Sequence, residues 1–147
     1  MKSVSGSRVI AAPAQAIFDV LADPAMHAVI DGTDSVGAPT EGGSSRLGLG
    51  SEFGMQMRIV VPYRITNRVV EFEEGRRIAW THLGGARWRY ELEPVEGGTR
   101  VTETFDWSTG TPVLFDAFMR LTTFARRNMA GIERTLERLA ELVASRR

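Results

Sequence analysis

The last quarter of the chain, from Thr111 to Arg147, constrains the fold more than any other stretch. At 100° per residue, Leu114, Phe115, Phe118, Leu121, Thr122, Ala125, Met129, Ile132, Leu136, Leu139, Ala140 and Val143 fall on one stripe. Asp116, Arg120, Arg127, Arg134, Glu137 and Glu141 fall off it. This is the pattern of a single amphipathic helix. Thr111 can cap its start, and Pro112 occupies the first helical position, where its missing N–H costs nothing. Such a helix runs for roughly 30 residues and roughly 45 Å, so its stripe needs an extended apolar surface to lie on. The preceding sequence provides one, and its periodicity is that of β-structure.

Val4 to Ala11 reads as a first strand. Pro13 opens a short helix with Ile17, Phe18, Val20 and Leu21 on its apolar side. Asp23-Pro24 ends that helix, because the residue before a proline is pushed out of the helical region, and a second helical turn follows over Ala25 to Val29. Asp31 to Ser51 is rich in Gly, Ser and Thr, with a short strand at Ser35 to Ala38 and a candidate mobile loop or lid at Glu41 to Arg46. Five strand-like runs come next. Phe53, Met55, Met57 and Ile59 alternate with Gly54, Gln56 and Arg58; Tyr63 to Phe72 follows; Ile78, Trp80 and His82 share a side. Trp88, Tyr90 and Leu92 alternate with charged neighbours, as do Val101, Glu103, Phe105 and Trp107. Short turns between these runs predict an antiparallel meander with one dry face and one wet face.

Taking Glu96 to Thr99 as the turn of the last hairpin sets a register. Trp80, Tyr90 and Phe105 then form one row, and His82, Trp88 and Trp107 the next. Leu92 faces Glu103, and on the outer side Arg89 meets Asp106.

Composition narrows the class. With 147 residues and 43% hydrophobic content, residues 1–147 read as one domain able to bury a core. Lys and Arg total 18 against 18 Asp and Glu, so no global field favours nucleic acid or an anionic membrane as a partner. Without cysteine there is no disulfide or thiolate chemistry. Neither a signal peptide nor an integral membrane segment is legible, and the expected location is cytoplasmic. Phe124 and Leu142, off the main stripe, leave a homodimer open.

The order of elements, together with IAAPAQAIFDVLADPAMH, GLGSEFGMQM, NRVVEFEEGRRIAW and WRYELEPVEGGTRVTETFDW, resembles the polyketide cyclase/dehydrase-like branch of the START-related (SRPBCC) superfamily. The resemblance covers nearly the whole chain. It implies an α+β helix-grip fold, with a curved antiparallel sheet of about seven strands wrapped around a long C-terminal helix and two short helices after the first strand. It also implies a cavity between sheet and helix that takes a hydrophobic small molecule. Relatives include cyclases and dehydratases as well as carriers of lipids, sterols and quinones, so fold alone does not choose between turnover and carriage.

Candidate chemistry centres on Glu103 and His82. A carboxylate on the dry face needs a raised pKa, a cationic partner such as Arg126, or contact with cavity water. A raised pKa suits acid–base work on an enolisable carbonyl, and His82 could shuttle protons or donate to a ligand, or simply close the core. Phe53, Met55, Met57, Trp80, His82, Trp88, Tyr90, Glu103, Phe105 and Trp107 are expected to face the ligand. From the terminal helix, Phe115, Phe118, Thr122 and Met129 complete the lining, because small Thr122 and Ala125 in mid-stripe leave space. Tyr63 and Asn67 are further polar candidates. His27 lies near Asp31 and Asp34, but two histidines without clustered carboxylates make no metal site. Gly48-Leu49-Gly50 lacks the context of a phosphate loop, so no cofactor is expected. Arg126-Arg127 and Arg146-Arg147 read as solvated helix charges. The rival to acid–base chemistry is a non-catalytic carrier of a lipid, sterol or quinone.

Overall fold

The computed structural model describes residues 2–31, 36–39, 46–58, 62–81, 85–108, 113–122 and 124–146. β1 (Ser3–Ile10) leads into α1 (Ala14–Leu21), a 3-10 turn (Pro24–Met26) and α2 (His27–Ile30). Then come β2 (Val36–Pro39), β3 (Glu52–Arg58), β4 (Pro62–Glu73), β5 (Arg77–Thr81), β6 (Arg87–Val95), β7 (Gly98–Asp106), α3 (Val113–Leu121) and α4 (Phe124–Ser145). The strands make one antiparallel sheet in the order β1-β7-β6-β5-β4-β3-β2. The α+β helix-grip arrangement anticipated from the order of elements is therefore present. Of the expected lid segment over Glu41 to Arg46, Arg46 pairs with Asp19 and Glu74, and the rest, like the capping pair Thr111-Pro112, lies outside the described residues.

Alternation writes the two faces of the sheet. Along β7, Val101, Glu103 and Phe105 are buried while Thr102, Thr104 and Asp106 are partly exposed. The inner side chains pack against α1 through Ile17, Phe18, Val20 and Leu21, and against α4 through Ile132, Leu136, Leu139 and Val143. On the outer face Glu71 accepts from Arg89 at 2.8 Å and from Arg87 at 3.0 Å. Arg89 also reaches Asp106 at 3.3 Å, but diagonally: Arg87, not the expected Arg89, is the residue opposite Asp106.

The register itself differs from the expected one by two residues. Val95 pairs with Gly98, so the last hairpin turns on Glu96-Gly97 alone, with Gly97 at φ 88°. The tighter turn sets Tyr90, not Leu92, opposite Glu103, and Leu92 opposite Val101. Likewise Trp80 pairs with Trp88 and Ile78 with Tyr90. A shift of two preserves which face each residue occupies, so the aromatic inner face survives with different neighbours.

The terminal helix is also not continuous. α3 ends at Leu121, where the Thr122 hydroxyl donates to the Phe118 carbonyl at 2.7 Å. A threonine bonding back to its own helix turn bends or closes it. In the first turns of α4 Asn128 is buried and Met129 is exposed, although Met129 is in phase with the buried Leu136.

Two close approaches fix the layers. A Cβ on Gly6 would lie 2.9 Å from Ile132 Cγ2, so β1 takes α4 directly onto its backbone. A Cβ on Gly98 would lie 2.0 Å from the Ile10 carbonyl oxygen. Gly98→Ala should cost about 3 kcal/mol or more in denaturant unfolding, because backbone has to move. Gly50→Ala, at φ 82° with nothing within 4 Å, should cost only about 1 kcal/mol of left-handed strain. Equal losses would contradict the close approach at Gly98.

Candidate functional site

The inner face carries a chain of rings. His27 stacks on Trp80 with centroids 4.6 Å apart and planes 17° from parallel, and Phe53 meets both edge-on at 5.4 and 5.6 Å. Trp80 reaches Tyr90 at 5.7 Å. Trp88, Phe105 and Trp107 continue the series at 4.6 and 5.9 Å. All of these except the half-buried Trp88 are buried. Each position follows from alternation along β3, β5, β6 and β7, whereas His27 is delivered by the turn after α1.

Glu103 is the exception in this apolar surface. It is 3% exposed, and its Oε2 accepts the Tyr90 hydroxyl at 2.9 Å. Its Oε1 has no hydrogen-bond partner. Burial pushes its pKa up to about 8; the Tyr90 hydrogen bond pulls down, and the negative charge of Asp31 adds to the rise. At neutral pH the group is predominantly the neutral acid. With Tyr90 donating to Oε2, a proton carried on Oε1 meets no acceptor among the described residues. Tyr90 itself is pushed well above its ordinary range by burial, then by the nearby Glu103 and Asp31 charges. Arg126 is exposed on α4 and is not the partner expected for Glu103.

His27 Nε2 donates to the Leu21 carbonyl at 2.9 Å, satisfying one of the orphan acceptors at the end of α1. Burial lowers its pKa to about 4 against the weaker pull of that bond and of Asp23 and Asp31. It is a neutral, stacked ring; among the described residues no three metal-ligating side chains cluster, and Asp34 lies outside them. Two further buried polar atoms lack partners, Asn67 Oδ1 on β4 and Asn128 Nδ2 on α4.

The sequence-derived set thus divides. Phe53, Trp80, Trp88, Tyr90, Glu103, Phe105 and Trp107 share the inner face. Phe118, Thr122 and Met129 are exposed, Met129 although it shares the phase of the buried Leu136 seven residues further along α4. His82 lies outside the described residues, as do the side chains of Met55, Met57, Tyr63 and Phe115. Sequence reasoning did not pick out His27 as a ring in the aromatic cluster, Asn128, or the Tyr90–Glu103 pair. The signal for the pair was Glu96-Gly97, whose glycine can take the positive φ of a two-residue hairpin turn.

The two buried titratable groups act on stability in opposite senses. His27 has a folded pKa below its unfolded value, so stability is lost as pH falls from about 6.5 towards 4. Glu103 has a raised one, so its contribution is lost as pH rises from about 4.5 towards 8. Between pH 6.5 and 8 only Glu103 titrates of the two, and unfolding free energy should fall by roughly 2 kcal/mol. Glu103→Gln should abolish that decline in urea titrations across this window. A decline of the same size in the variant would refute the assignment.

Comparison with known proteins places this arrangement. A family model described as polyketide cyclase/dehydrase and lipid transport matches residues 1–144. An uncharacterized protein of Mycobacterium tuberculosis is 39% identical over 144 residues, which is 96% of this chain and 64% of that protein. The chain therefore spans less than two thirds of the length of that relative. A crystal structure from Nitrosomonas europaea superimposes with a TM-score of 0.71 at 18% identity, covering 99% of this chain and 96% of the other. One from Mycobacterium smegmatis gives 0.72 at 16%, covering 99% and 92%. At such identities these structures speak to the fold alone. The match along residues 1–144 makes the chain a member of the polyketide cyclase/dehydrase and lipid transport family.

Proposed function

We propose that residues 1–147, as one functional domain, bind a hydrophobic or aromatic small molecule between the inner face of the sheet and α4, with Glu103 as its acid–base group. The observation that carries this reading is the orphan Oε1 of Glu103, buried in an aromatic interior beside a tyrosine that holds the other oxygen. A ligand carbonyl set against Oε1 would accept its proton. The carboxylate left behind, stabilised by the Tyr90 hydroxyl, would then take a proton from the adjacent carbon, and the net change is enolisation. That is the opening step of cyclase or dehydratase-type chemistry. Phe53, Trp80, Trp88, Phe105 and Trp107 are the proposed walls. His82, Met55, Met57 and Phe115 retain their proposed lining role from sequence alone.

The family description joins lipid transport to cyclase and dehydrase activity. A second reading is accordingly carriage of a lipid, sterol or quinone in the same interior without turnover.

Mass spectrometry of an organic extract from the natively purified protein tests the shared claim. An apolar compound should be present, and adding it back to stripped protein should quench the emission of Trp80, Trp88 and Trp107. Glu103→Gln then separates the readings. The variant should keep affinity for the compound within about threefold but lose about 100-fold or more in its conversion. Full conversion by Glu103→Gln would remove the catalytic assignment, and absence of both compound and quenching would remove the ligand.

A further inference from the structure

α3 turns its apolar side outward. Val113, Leu114 and Leu121 are 86%, 83% and 85% exposed, and Phe118 is half exposed. Among the described side chains of this helix, Met119 is the one that is buried. Leu114, Phe118 and Leu121 recur at i, i+4 and i+7, so they stand on one side of the helix. Single exposed hydrophobic residues are ordinary, but a continuous stripe of them marks a surface that meets something apolar.

The next helix adds charge of one sign. Arg126 and Arg127, both exposed, lie in the first turn of α4, immediately beyond the Thr122 break. An exposed apolar helix side followed, five and six residues after Leu121, by exposed guanidinium groups matches a layered partner, hydrocarbon beneath and phosphate above. A second copy of the chain matches it less well, since a self-complementary contact through this stripe would gather both arginine pairs around one apolar patch. From this placement we propose that α3 and the first turn of α4 form a docking surface for a bilayer containing anionic lipid. No described helix is long and apolar enough to cross a membrane, so the association is peripheral. It does not depend on the ligand reading of the interior, because every residue involved lies on the outside.

Flotation of the full chain with vesicles tests it. The protein should bind vesicles of phosphatidylcholine mixed with phosphatidylglycerol, bind phosphatidylcholine alone weakly, and lose anionic-vesicle binding as salt is raised. Leu114→Glu with Leu121→Glu, and separately Arg126→Glu with Arg127→Glu, should each weaken binding by about tenfold or more. These positions are exposed, so circular dichroism and melting should stay as in the parent. A Leu121→Trp variant reads the contact without removing apolar surface: brominated lipid in anionic vesicles should quench its added emission. The proposal is overturned if the parent ignores anionic vesicles, if the leucine variant floats unchanged, or if Leu121→Trp escapes quenching. A parent dimer in sedimentation velocity that the leucine variant dissociates would also overturn it, assigning the stripe to a second copy.

Discussion

The structure depends on burying the aromatic inner face of one antiparallel sheet against a single helix. Apolar surface removed from water contributes about 25 cal/mol per Å², and here it is removed in two stages. Alternation along β3 to β7 gathers the rings on one side, and Gly6 lets Ile132 and Leu136 of α4 come onto the backbone of β1. α1 covers a further part with Ile17, Phe18, Val20 and Leu21. The outer face then has only water to meet, and it carries the Arg87–Glu71–Arg89–Asp106 network.

That same burial gives the interior its chemistry. A carboxylic acid facing water has no reason to stay neutral at pH 7, but Glu103 shares its surroundings with Tyr90, Phe105 and α4, and charge is costly there. The group is kept as an acid by desolvation and oriented by one hydrogen bond. Asn67 and Asn128 bring two more unpaired polar atoms into the buried layer. An interior built only for stability would pair such atoms, since leaving a buried polar group unsatisfied costs about 1–3 kcal/mol each. Among the described residues Glu103 Oε1 has no partner, and the proposed small molecule would supply one.

Much of this was legible in the sequence because it rests on period. Alternation identified the strands and put Glu103 among the rings, and the spacing of Ile132, Leu136, Leu139 and Val143 identified the face of α4. What was not legible rests on single bonds. The expected single helix is two, α3 closing where the Thr122 hydroxyl bonds back to Phe118, and Phe118, Thr122 and Met129 are at the surface. A turn two residues shorter than assumed replaces Leu92 by Tyr90 opposite Glu103. His27 reaches the ring cluster through a turn, where neither helical nor strand period predicts direction. Periodicity fixes faces, and caps and turns fix neighbours.

The central claim is that Glu103 is a neutral acid oriented by Tyr90, and its titration is the most direct measure. Carbon NMR of the protein labelled at glutamate side-chain carboxyls, with Glu103→Gln used to assign the resonance, reads that pKa without reference to any ligand. The account predicts one carboxyl titrating near 8, moving again when Tyr90→Phe removes the hydroxyl. The direction of the second change is upward, because the hydrogen bond favours the charged form. A Glu103 resonance titrating near 4.5, unmoved by Tyr90→Phe, would contradict it.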